Sequence, residues 1–172
     1  MEDKYGYVDL AYEAIRNFIE NKQRIEPPLD KEAFNKRAGV FVTIKKDGQL
    51  RGCIGTIEPA EDNVAEEIIS NAISAATRDP RFRQLKKGEL DKINVSVDIL
   101  GPKEEIDDLQ ELNPDKYGVI VKKHSRTGLL LPNLEGIDSV KKQIDIACKK
   151  AGIYPEEEYS LARFKVDRYE QK

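Results

Sequence analysis

Asp47-Gly48 stands between two runs rich in β-branched and aromatic residues, Val40-Phe41-Val42-Thr43-Ile44 and Gln49 to Ile57. An Asp-Gly pair supplies the two positive-φ positions that a two-residue hairpin turn demands, so the pattern commits the chain to an antiparallel ladder. Elsewhere the period changes. Tyr7, Leu10, Ala11, Ala14, Ile15, Phe18 and Ile19 recur at helical spacing and predict an opening amphipathic helix that ends near Lys22. Val64, Ile68, Ile69, Ala72, Ile73 and Ala76 predict a second helix, capped at Asp62 or Asn63 and closed by Asp79 ahead of Pro80. Ile93 to Leu100 alternates like a half-buried strand, and Tyr117 to Lys123 with Gly128 to Leu131 frame a second hairpin around the turn HSRT. Val140 to Lys150 predicts a third helix, capped at Asp138 or Ser139 and stopped at Gly152. Glu156, Glu157 and Glu158 read as the solvated acidic first turn of a helix after Pro155, and a last strand runs from Ala162 to about Tyr169. Helices and antiparallel hairpins mixed without a βαβ alternation place the chain in the α+β class, an antiparallel sheet flanked by helices.

The 172 residues suit a single domain with a real core, and acidic and basic groups are interspersed at a net charge of -3. No long single-sign run marks a nucleic-acid surface. The opening MEDKYGYVDL lacks the apolar run of a leader, and no segment reaches the length of a membrane span, which predicts a cytoplasmic protein without membrane association. Cys53 and Cys148 are far apart, and a reducing compartment keeps them as thiols. With a single histidine, His124, and no paired cysteines, no metal site is indicated, and the absence of a GxGxxG or P-loop pattern leaves no cofactor implied.

Leu50-Arg51-Gly52-Cys53-Ile54-Gly55-Thr56 is the stretch with chemical content, because it sets a thiol between two glycines and beside an arginine. Glycine weakens a strand interior, so a close approach by ligand or backbone is the reason to look for. Strict alternation puts Arg51, Cys53 and Gly55 on one face, with Arg51 about 7 Å from Cys53, where a guanidinium favours thiolate, and with Gly55 as an open floor. The plain alternative is a small buried apolar residue. Arg78, Asp79 and Arg81 surround Pro80 just after the second helix. They fit either an anion site built of guanidinium forks or a stiff connector in which Asp79 pairs with an arginine. Cys148, on the apolar side of the third helix, reads as core.

In chain order, LRGCIGT, then Arg78-Asp79-Pro80-Arg81-Phe82, Val95-Ser96-Val97, Tyr117-Gly118-Val119, Leu130-Leu131-Pro132 and Lys149-Lys150-Ala151-Gly152 resemble the AMMECR family, whose prokaryotic members are called protein A of the AmmeMemoRadiSam system. The resemblance runs from about Leu10 to Glu170 and implies one α+β domain, residues 1–172, in two lobes with a cleft faced by LRGCIG. It also implies two companions, a Memo-like protein and a radical SAM protein. Two function classes follow. One is an enzyme or enzyme subunit that binds a small acidic metabolite, with Cys53 and Arg51 in the chemistry and Gly52, Gly55, Arg78, Asp79 and Arg81 around the ligand. The other is a non-catalytic adaptor that docks onto the Memo-like or radical SAM protein.

Overall fold

The structure, a computed structural model, describes residues 6–28 and 30–171. Among the described residues, three α-helices, α1 (Tyr7–Asn21), α2 (Val64–Thr77) and α3 (Val140–Ala151), accompany eight strands. These are β1 (Val40–Lys46), β2 (Gln49–Gly55), β3 (Ile93–Leu100), β4 (Glu104–Ile106), β5 (Gly118–Lys123), β6 (Arg126–Leu130), β7 (Ser160–Phe164) and β8 (Val166–Glu170). They form two four-stranded sheets, ordered β2-β1-β3-β8 and β4-β7-β5-β6. The chain divides into two compact units, Met1–Ile99 with Asp167–Lys172, and Leu100–Val166. No helix among the described residues is long and apolar enough to cross a membrane.

In the first unit α1 and α2 pack together, and α2 lies on β1 and β2. Alternation decides which face they cover: Val40, Val42 and Ile44 of β1 and Val95, Val97 and Ile99 of β3 are buried against Ile15, Ile68, Ile69 and Ala72. Asp47 and Gly48 take φ of 52° and 77°, the left-handed pair that the tight hairpin requires. Asn63 caps α2 by accepting from the Glu66 amide, and α2 stops two residues ahead of Asp79-Pro80, at Thr77.

In the second unit α3 buries Ile144, Ala147 and Cys148 against Val119, Val121 and Leu130. Ser139 caps its start, and Gly152 closes it at a φ of 67°. Two sequence expectations are corrected in this part of the chain. The last strand is two strands in different sheets, β7 and β8, and the three glutamates after Pro155 open no helix. Their residues form a turn instead, in which Glu157 accepts from the Tyr154 amide at 2.8 Å and holds Arg126 at 2.6 Å and Lys123 at 3.2 Å.

Candidate functional site around Cys53

The β1–β2 hairpin pairs Lys46 with Gln49, Lys45 with Leu50, and then Ile44 with Gly52, so Arg51 is the extra residue of a β-bulge. The bulge breaks the strict alternation at Arg51. Arg51 grips Glu89 with both arms of its fork, Nε to Oε1 at 3.1 Å and Nη2 to Oε2 at 3.0 Å, and donates Nη1 to the Arg83 carbonyl at 2.9 Å. Lys46 reaches the same carboxylate at 2.9 Å. Chiefly through the Arg51 hydrogen bonds, and against the penalty of burial, the Glu89 carboxyl is held down to about 2. Arg51 is therefore an ion-pair anchor for the 86–92 segment, its Nε and both Nη atoms committed to Glu89 and the Arg83 carbonyl.

The glycines likewise serve packing. A Cβ at Gly52 would run into the Ala75 carbonyl oxygen, because α2 lies directly on β2 there. A Cβ at Gly55 would run into the ring of Phe41, its partner across the ladder. The open floor expected at Gly55 is thus covered by an aromatic ring.

What the fold brings to Cys53 comes from the 78–82 segment. Cys53 pairs with Thr43 so that its own N–H and C=O point outward along the free edge of β2. Asp79, buried at 4% exposure, accepts the Cys53 amide at 2.9 Å. The same carboxylate accepts the Arg81 amide and Nε at 3.0 Å each and Arg81 Nη2 at 2.8 Å, while Nη2 also reaches the Cys53 carbonyl at 3.4 Å. The Arg81 side chain remains 55% exposed, and its Nη1 edge is not used by these bonds. Hydrogen bonds from Arg81 are the main reason the Asp79 carboxyl sits at about 2, with burial opposing and the two backbone amides assisting. Arg78 caps α2 with its backbone N–H to Ser74 O at 2.7 Å and leaves its side chain exposed.

The thiol lies half-buried, Sγ 3.3 Å from Thr43 Oγ1. On β3, Ser96 stands opposite Thr43 and Asp98 opposite Phe41; Arg168 of β8 forks onto Asp98 at 2.7 and 3.2 Å. Arg81 is raised above the ordinary arginine value by its hydrogen bonds to Asp79, against burial, with the charge of Asp79 and then of Cys53 adding to the effect. Burial opposes protonation of Arg168, yet Asp98 and smaller contributions from Glu170 and Cys53 raise it as well. The thiol therefore communicates electrostatically with the guanidinium groups of Arg81 and Arg168. Thr43, Asp98 and Arg168 have no motif to announce them in the sequence; Asp79 followed by Arg81 does announce a side-chain-bonded turn.

The AMMECR1 family model matches residues 8–172, nearly the whole chain. The chain belongs to the AMMECR1 family. Among AMMECR1 relatives, a protein of Thermotoga maritima is 51% identical over 98% of this chain and 99% of its own. One from Clostridium acetobutylicum is 46% identical over 99% of this chain but only 37% of its own length. One from Methanopyrus kandleri is 38% identical over 91% and 80%. The crystal structure of an uncharacterised protein from Pyrococcus horikoshii superimposes with a TM-score of 0.90 at 32% identity, over 96% of this chain and 90% of that one. The α+β architecture is thus that of a solved structure.

Proposed function

We propose that this AMMECR1 protein binds a small acidic molecule in a cleft lined by the Cys53 segment of β2, with Cys53 as a reactive thiol and Arg81 as the anion-binding group. One observation carries this reading: Asp79 and Arg81 clamp the backbone of Cys53 on both polar atoms, which joins the two most distinctive motifs of the sequence into one unit. A guanidinium whose Nε and one Nη are tied to a buried carboxylate is fixed in direction, and its remaining edge costs little to use on a ligand carboxylate or phosphate. Thr43 Oγ1 is placed to donate to a thiolate, and two cationic groups favour that form.

Alkylation of the native chain by iodoacetamide tests both halves. Cys53 should react well ahead of Cys148, whose thiol is buried and pushed up by desolvation. Sulfate or succinate should slow the labelling of Cys53, and Arg81→Gln should abolish that protection, whereas Arg51→Gln should cost stability and leave protection intact. Equal rates for the two thiols would remove the reactive-thiol half; protection that survives Arg81→Gln would remove the anion half.

A further inference from the structure

Cys53 does not stand alone on its face of the sheet. Val42 and Ile44 of β1 and Val95 and Val97 of β3 point into the core, so Thr43 and Ser96, which lie between them in sequence, point to the opposite side. In the ladder Cys53 stands opposite Thr43, and Thr43 opposite Ser96, which sets a thiol and two hydroxyls in one row across β2, β1 and β3. Arg81 holds the β2 end of the row, where its Nη2 meets the Cys53 carbonyl on the free edge. All of these residues belong to the first unit.

Neighbouring strands lie about 4.8 Å apart, so the row runs about 10 Å from Cys53 to Ser96, the reach of a chain of about six carbons. Phe41 borders it on one side, its ring packed over Gly55. Lys45 borders it on the other, exposed and without an ion pair among the described residues. Thr43 is engaged with the thiol at 3.3 Å, whereas the half-buried Ser96 hydroxyl has no hydrogen-bond partner among the described residues. An alkyl chain laid along the row would strip water from that hydroxyl and return no hydrogen bond, while a chain bearing hydroxyls of its own would replace the lost bond. The row therefore discriminates between the two, because an unmatched polar group costs more than a matched one gains.

We propose that the ligand at Cys53 is a hydroxylated carboxylic acid of the sugar-acid class, with its carboxylate on Arg81 and its hydroxyl-bearing chain laid across β2 and β1 to Ser96. This assignment rests on the acidic-ligand reading at Cys53 and adds the chemistry of the rest of the molecule.

D-Gluconate and hexanoate share a carboxylate and a carbon count and differ in their hydroxyls, so their protection of Cys53 from iodoacetamide separates the hydroxyl row from the anion site. In the native wild-type chain, gluconate should half-protect at a concentration about tenfold or more below that of hexanoate. Ser96→Ala loses no protein hydrogen bond and should keep the melting behaviour of wild type; in it gluconate should lose most of its advantage while succinate protects as before. Equal protection by gluconate and hexanoate in wild type, or a gluconate advantage that Ser96→Ala leaves intact, would overturn the hydroxylated ligand and leave the anion reading at Arg81 standing. Protection by succinate without protection by gluconate would do the same. If sulfate, succinate and gluconate all fail to slow the labelling, the anion reading fails and the sugar acid with it.

Discussion

Asp79 accepts four hydrogen bonds, from the Cys53 amide and from the amide, Nε and Nη2 of Arg81. A buried carboxylate so surrounded favours its charged form, which is why its pKa falls from 3.8 to about 2. A carboxyl depressed on folding contributes stability that is complete above the unfolded value of 3.8 and is lost as pH falls through the folded value of about 2. Asp79→Asn should therefore cost about 1–2 kcal/mol at pH 5, discounted because Arg81 is more than half exposed, and much of that difference should vanish by pH 2. Urea denaturation of both proteins at pH 5, 3.5 and 2 measures it. Glu89 and Glu157 titrate in the same acid window, but they do so in both proteins and cancel in the difference. A gap that stays constant down to pH 2 would mean that the asparagine perturbs packing and that the carboxylate charge contributes nothing.

The two sheets solve the same packing problem with the same two devices. Gly52 admits the backbone of α2 at Ala75, and Gly128 admits the backbone of α3 at Ala147; Gly55 lies under Phe41, and Gly118 under Phe164. A backbone carbonyl cannot swing aside as a ring can, so Gly52→Ala should cost about 3 kcal/mol or more, and Gly55→Ala less. In a double-mutant cycle, Gly55→Ala should couple to Phe41→Ala by about 1 kcal/mol, because removing the ring removes the clash, whereas Gly52→Ala and Phe41→Ala should add. Additive energies for the Gly55 pair would show that the ring does not rest on the glycine. Elements of this kind differ in how far the sequence discloses them. Both hairpins and all three helices are legible, because periods of 2 and 3.6 and the caps at Asn63 and Ser139 are local signals. The bulge is not: counting back from Asp47-Gly48 pairs Thr43 with Gly52, and only the real ladder pairs it with Cys53. That one residue takes Arg51 out of strict alternation with Cys53. The break at Lys165 is equally silent, since apolar residues recur on through Ala162, Phe164 and Val166 while β7 and β8 join different sheets. Buried Glu67, which accepts from Thr56 and from the amides of Ala60 and Glu61, reads locally as one more surface acid on a helix.

At the scale of the molecule, the first unit is completed by the last residues of the chain, while the second is one contiguous segment, Leu100–Val166. The returning end contributes more than a strand. Arg168 forks onto buried Asp98, Gln171 accepts the Val95 amide at 2.9 Å, and the ring of Tyr169 meets that of Tyr7 at 4.8 Å. Burial pushes the Asp98 carboxyl up, and Arg168 only partly offsets this, so without Arg168 the folded unit would hold a buried acid with its main partner gone. Residues 1–99 alone should then be less stable than the same segment joined by a flexible Gly-Ser linker to residues 167–172, by about 3 kcal/mol, and Arg168→Ala in the joined protein should remove most of that gain. Residues 100–166, which carry their own core of Val119, Val121, Leu130, Ile144 and Ala147, should unfold cooperatively as an isolated fragment. Urea titrations followed by circular dichroism compare the four proteins. Equal midpoints for the joined and unjoined first unit would show that β8 only decorates its sheet edge, and a fragment 100–166 without a transition would show that the second core holds together only within the whole chain.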